Sequence, residues 1–94
     1  MGMLEELFEV IEERKRYPSK GSYTARLIYH EKGINRILEK LGEEMTELIL
    51  AAKDGKREDV IYETADVLYH LLVMLSALEI KLEEVYDELR KRRR

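Results

Sequence analysis

Apolar residues recur along this chain at the three-and-four spacing of an α-helix, and almost nowhere at the alternate spacing of a strand. Leu4, Leu7, Phe8 and Ile11 form an i, i+3, i+4, i+7 stripe that predicts a helix from about Leu4 to Arg16, and Pro18 stops it. Tyr17-Pro18-Ser19-Lys20-Gly21 reads as a turn. Ser22 or Thr24 can then cap a short helix reaching about Glu31, because either hydroxyl can accept from an unpaired backbone amide; Gly33 breaks it. A long amphipathic helix from about Ile34 to Lys53 follows, with Ile34, Ile37, Leu38, Leu41, Met45, Leu48, Ile49 and Ala52 on one face. Asp54-Gly55 closes it with residues that tolerate a left-handed cap. A second long helix, about Arg57 to Leu78, and a last one, about Leu82 to Lys91 with Leu82, Val85, Tyr86 and Leu89 inward, complete the pattern. The predicted class is all-α: one domain, residues 1–94, built on a hairpin of two long helices with short helices flanking it.

The second long helix decides how that hairpin is packed. Its first half is amphipathic, but Val67-Leu68-Tyr69 and Leu71-Leu72-Val73-Met74-Leu75 are apolar right round the cylinder, the mark of a helix surrounded by protein. A chain of 94 residues has one modest core and cannot cover such a helix on every side. Leu50, roughly opposite the apolar stripe of the other long helix, also asks for a further contact. Two hairpins from two chains, joined as a four-helix bundle, satisfy both demands, so a homodimer or higher homo-oligomer is expected.

Composition narrows the partners. Charged residues make up 39% of the chain but the formal net charge is only -3, so the surface mixes both signs and offers no broad basic field for nucleic acid. The terminal Arg90-Lys91-Arg92-Arg93-Arg94 is read as cations favouring a helix C-terminus and not as a nucleic-acid tail. Without cysteine there are no disulfides, thiolate metal sites or cysteine nucleophiles. Met1 to Val10 has acids where a signal peptide would be basic, and the longest apolar run, Val67 to Leu78, is twelve residues against the roughly 20 that cross a bilayer. A soluble cytoplasmic protein with no membrane or nucleic-acid partner is expected.

The candidate chemistry lies in two acidic doublets, Glu44-Met45-Thr46-Glu47 and Glu63-Thr64-Ala65-Asp66. Glu47 and Glu63 each stand eight positions from Gly55, and Glu44 and Asp66 each eleven, so across an antiparallel hairpin they meet at matching heights. Four converging carboxylates repel one another unless a cation sits between them. At 100° per residue with Leu41 as zero, the apolar stripe runs from about -40° to +80°, Glu44 falls near -60°, Ala51 near -80° and Glu47 near -120°. Glu63, Asp66 and His70 lie within about 60° of one another, with Asp59 beside them. Hard oxygen donors without cysteine favour Mg²⁺ or Mn²⁺. A ferritin-like di-iron site would need Glu-x-x-His on facing helices, but Tyr69, not His70, stands three after Asp66.

On these residues a resemblance can be stated. Glu44-x-x-Glu47, fifteen intervening residues and Glu63-x-x-Asp66 resemble the metal motif of the all-α nucleotide pyrophosphatases, the group that includes MazG and the dimeric dUTPases. Within it, Gly21-Ser22-Tyr23-Thr24-Ala25-Arg26-Leu27, Lys40-Leu41-Gly42-Glu43-Glu44, Ala51-Ala52-Lys53 and the run Glu63-Thr64-Ala65-Asp66-Val67-Leu68-Tyr69-His70-Leu71-Leu72 are similar to the phosphoribosyl-ATP pyrophosphatase family, over nearly the whole chain. Lys20 departs from it, since related chains often carry an acid there, and receives no role. With no length for the cyclohydrolase domain fused to this enzyme in some organisms, the form implied is monofunctional.

The resemblance implies Mg²⁺-dependent hydrolysis of the α,β-phosphoanhydride of phosphoribosyl-ATP, giving phosphoribosyl-AMP and pyrophosphate in histidine biosynthesis. Glu44, Glu47, Glu63 and Asp66 are the expected metal ligands, with Glu44 or Glu47 also taking the proton of the attacking water. Glu43, about 100° round the helix from Glu44, is read as supporting or solvated. Arg26, Lys40 and Lys53 are the cations expected near phosphate; Ser22, Tyr23 and Thr24 could contact ribose or phosphate, Tyr69 the base, and His70 completes the expected substrate-binding set. Two other readings stay open on the sequence: a MazG-type housekeeping nucleoside triphosphate pyrophosphatase, and a non-enzymatic helical dimerisation module whose acids are only a polar face.

Overall fold

A computed structural model describes residues 2–93; Met1 and Arg94, the last residue of the basic tail, lie outside the described residues. Five helices follow in order, α1 (Met3–Arg16), α2 (Tyr23–Ile28), α3 (Ile34–Asp54), α4 (Arg57–Ala77) and α5 (Leu82–Arg92), and no strand occurs among the described residues. The all-α hairpin expected from the spacing is the architecture found. α3 and α4 pack antiparallel along their length, α1 crosses α4, and α2 wedges between α1 and the hairpin.

Each boundary has a local cause. The Ser22 hydroxyl accepts from the Ala25 amide at 3.1 Å, so Ser22 and not Thr24 caps α2. α2 ends at Ile28, short of the expected Glu31, because His30 takes over the local donors: its Nδ1 accepts from the Lys32 amide at 3.0 Å and its carbonyl from the Gly33 amide at 2.9 Å. Gly33 (φ 62°) turns the chain into α3, and Gly55 (φ 69°) closes α3 in the left-handed region. At the start of α5, Glu84 reaches back to accept from the Lys81 amide at 2.9 Å.

The core is Ile11, Leu27, Ile37, Leu72, Val73 and Leu82, one or two residues from every helix, with Leu4, Leu7, Phe8 and Tyr86 packed around it. Burying side chains of this size contributes roughly 1.5–3 kcal/mol each. Glu12, Lys15 and Ser76 pin α1 to the far end of α4: Lys15 Nζ donates to the Ser76 carbonyl at 2.8 Å and pairs with Glu12 at 3.0 Å, and the buried Ser76 hydroxyl donates to Glu12.

On α3 only one edge of the apolar stripe is buried, the edge where the helix angles put Glu44. Within the protomer its buried residues are Ile37, Glu44 and Ala51, spaced seven apart along one edge of that stripe. Leu38, Met45 and Ile49 are 44%, 39% and 59% exposed. A small residue and a carboxylate let the α3 and α4 backbones meet on this edge, and the bulkier apolar positions are left facing outward. Leu50, Ile61 and Leu68 are likewise exposed. α4 is long and apolar enough to cross a membrane by length and composition, against the expectation from its shorter uninterrupted apolar run; here it packs on α3 and α1 and carries Glu63, Asp66 and His70.

Candidate metal and phosphate site

Because Gly55 closes the hairpin, equal distances from it become equal heights. Glu47 of α3 lies within hydrogen-bonding reach of Glu63 of α4, and Glu44 within reach of Asp66, the two pairs that equal spacing selects. One oxygen from each of Glu44, Glu63 and Asp66 falls in a set whose members all lie within 4.8 Å of one another. Glu44 is buried, Glu63 and Asp66 half-buried and Glu47 exposed at the rim, so Glu47 touches the cluster through Glu63 without joining the tight triplet.

Crowding shows in the proton equilibria. Glu63 is pushed up to about 7, first by its hydrogen bond with Glu47, then by burial and by the charges of Glu47, Glu44 and Asp66. Burial, followed by the hydrogen bond and charge of Glu44, raises Asp66. Glu44 Oε2 and Glu63 Oε2 are both buried with no hydrogen-bond partner. Unpartnered buried carboxylate oxygens are costly, and two of them inside an all-oxygen cluster fit a hard divalent cation. Glu44, Glu63 and Asp66 would hold it, with Glu47 adjacent.

Cations border the acids on the α2 side. Lys40 Nζ stands 3.3 Å from Glu43 and 3.4 Å from Glu44, and its ammonium is raised, chiefly by its hydrogen bond to Glu43. Glu43 itself is exposed. Arg36, one turn before Lys40, pairs with Glu39 at 3.3 Å and lies close enough to the Tyr23 hydroxyl to act on it electrostatically, as Lys40 does. Arg36 is not among the cations expected from the sequence, and its four-residue offset from Lys40 is the signal that sets it on the same helix face. Arg26 is turned elsewhere, donating to the Lys20 carbonyl at 2.7 Å with its guanidinium 6.0 Å from the Tyr23 ring centre. Lys53 is exposed in the last turn of α3. On that side a cleft of about 290 Å³, lined by Glu47, Asp54, Lys56, Asp59 and Glu63 among others, opens beside the cluster.

The remaining candidates knit α2 to α4. Tyr23 and Tyr69 stack with centroids 6.1 Å apart at 26°, and His70 meets Tyr69 edge-on at 5.0 Å. Thr24, buried, hydrogen-bonds to the Tyr69 hydroxyl, so it is occupied within the protomer. His70, also buried, binds the Asp66 carbonyl through Nδ1 at 2.7 Å and the Tyr23 hydroxyl through Nε2 at 3.1 Å. Both ring nitrogens are thereby engaged by protein. Of this group only Tyr23 is open to solvent, at 41% exposure, and burial raises the pKa of its hydroxyl, with Lys40 and Arg36 opposing that rise.

An all-α hairpin with two acids from each long helix paired at two successive heights, bordered by lysine and arginine, defines a carboxylate-centred protein of the all-α nucleotide pyrophosphatase kind. Residues 4–93 match the phosphoribosyl-ATP pyrophosphohydrolase family, and the chain belongs to it. A protein of Methanococcoides burtonii named phosphoribosyl-ATP pyrophosphatase is 55% identical over 93 residues, which are 99% of this chain and 94% of its own. One of the same name from Haloarcula marismortui is 56% identical over 91 residues, 97% and 93% of the two chains. Another, from Geotalea daltonii, is 53% identical over 90 residues, 96% and 83%.

Proposed function

We propose that this chain hydrolyses the α,β-phosphoanhydride of phosphoribosyl-ATP, releasing phosphoribosyl-AMP and pyrophosphate as a step of histidine biosynthesis. The chemistry is supported by the convergence of Glu44, Glu47, Glu63 and Asp66, above all by the two unpartnered oxygens of Glu44 and Glu63. The substrate is supported by relatives of that name matching almost the full length of the chain.

Glu44, Glu63 and Asp66 would hold Mg²⁺, with Mn²⁺ as an alternative, and Glu47, the fourth ligand expected from the sequence, stands beside them through Glu63. A divalent cation there supplies charge neutralisation for the phosphate oxygens. Water donates its oxygen to phosphorus, the bridging anhydride bond breaks, and the water's proton passes to the carboxylate of Glu44 or Glu47. Glu47 is the more open of the two and is not in the tight triplet, which favours it for the proton. Lys40 and Arg36 place positive charge along the same face, where it stabilises the transferring phosphate. Ser22 caps α2 and Arg26 is bonded to the Lys20 carbonyl, so neither side chain faces the acids as the protein stands; Lys53 is assigned to the opposite edge, in the last turn of α3.

The outward apolar face of α3 and α4 supports a homodimer in which two hairpins complete a four-helix bundle. We place the enzyme in the cytoplasm, without membrane or nucleic acid as partner. Pyrophosphate release from phosphoribosyl-ATP, measured beside a panel of ordinary nucleoside triphosphates, tests the reading: selective hydrolysis of phosphoribosyl-ATP is expected, and preference for the panel would sink it.

A further inference from the structure

The His70 imidazole is buried, lies within electrostatic reach of the Asp66 carboxyl, and is not used in the chemistry above, yet both its nitrogens are committed. A carbonyl oxygen only accepts, so at 2.7 Å from the Asp66 carbonyl His70 Nδ1 must carry the proton. In the neutral ring Nε2 is then a bare acceptor, and the Tyr23 hydroxyl, 3.1 Å away, must donate to it. This fixes the direction of a bond that tyrosine could otherwise make either way. Tyr69, stacked on the Tyr23 ring and itself held by Thr24, keeps the phenol from swinging out.

Tyr23 is the solvent-open end of this relay, and its oxygen lies within electrostatic reach of Lys40, Arg36, Glu44 and Asp66, at the border between acids and cations. With its proton given to His70, that oxygen can only accept. A phosphate oxygen carries no hydrogen to offer and would be repelled; a sugar hydroxyl would bind. From this geometry we infer that Tyr23 is a specificity-determining residue that accepts a hydrogen bond from a hydroxyl of the substrate's ATP ribose, and that His70 is the positioning residue that sets the polarity of the Tyr23 hydroxyl. The inference rests on the nucleotide reading of the site and narrows it, since hydroxyl contacts in this segment had been open to ribose or phosphate alike.

Two measurements test it. Nitrogen NMR of the full chain at pH 8 should find His70 in the Nδ1–H form, with the Nε2 resonance moving in Tyr23→Phe, which keeps the ring stack and removes only the oxygen. An Nε2–H tautomer, or an Nε2 resonance that does not move, overturns the inference. In steady-state kinetics Tyr23→Phe should raise KM for phosphoribosyl-ATP about tenfold with kcat little changed. Toward the phosphoribosyl derivative of either 2′-deoxy-ATP or 3′-deoxy-ATP, whichever lacks the hydroxyl read, wild type and Tyr23→Phe should then agree. Equal loss on phosphoribosyl-ATP and both deoxy substrates overturns the ribose contact while leaving the pyrophosphatase reading intact. Failure of the wild type to turn over any of the three overturns that reading and the ribose contact with it, and the NMR result still decides the His70–Tyr23 polarity.

Discussion

At the scale of single residues the site is governed by like charges held close. Glu63 titrates near 7 in the fold, above the ordinary carboxylate value of about 4.5, mainly because Glu47 shares its hydrogen bond. The folded chain therefore holds a proton that the unfolded chain has lost between about pH 4.5 and 7, and in that window metal-free stability falls as pH rises. Thermal melts in EDTA should show Tm dropping across the window, and Mg²⁺ should raise Tm more at pH 8 than at pH 5.5. Glu63→Gln removes one of the crowded charges, so it should melt no lower than wild type in EDTA at pH 8. The same variant should bind Mn²⁺ at least tenfold more weakly by calorimetry. A cluster that is only a solvated polar face would leave that affinity unchanged. The residue types of the doublets were readable from spacing alone. Which acid is buried was not, because Glu44 and Glu47 differ by 60° of helix rotation, and only the closeness of α3 to α4 separates the buried Glu44 from the exposed Glu47.

At the scale of elements, two of the three residues of positive φ among the described residues punctuate the helices with opposite consequences. Gly55 sits at φ 69° with open space where a Cβ would go, so Gly55→Ala meets no clash and should cost about 1 kcal/mol from backbone conformation alone. Glu79 adopts φ 58° after α4 without being glycine. Glu79→Gly should therefore be neutral to stabilising, by up to about 1 kcal/mol. Urea denaturation of both variants checks the pair of signs. The start of α2 near Ser22 or Thr24, the break at Gly33 and the end of α3 at Gly55 were legible because caps are local chemistry. The end of α2 was less so: His30 ends it by competing for amides of its own turn, which depends on a rotamer and not on residue type. The link from α2 to α4 through Tyr23, Tyr69 and His70 was also hidden, because residues 45 to 47 positions apart meet only once α2 docks.

At the scale of the whole molecule, the protomer leaves much of its apolar spacing unspent. Leu38, Met45 and Ile49 of α3 and Ile61 and Leu68 of α4 lie exposed, more than scattered surface residues would account for. A second copy covering them would form the four-helix bundle. Ile49→Asp, at a position 59% exposed in the protomer, should leave helical content unchanged and convert the sedimenting species to a monomer. An unaltered sedimentation coefficient would remove this face from any assembly.

Helix count, the hairpin closed at Gly55 and the pairing of Glu44 with Asp66 and Glu47 with Glu63 were determined by the sequence itself, because helical pitch converts separation along the chain into height and angle. Tertiary packing alone decided which edge of α3 turns inward, since the apolar stripe is wide enough to serve either the protomer core or a partner. It also brought the Tyr23 hydroxyl to Nε2 of His70, whose Nδ1 is held by the Asp66 carbonyl, because Tyr23 and His70 are far apart in the sequence and meet only when α2 docks.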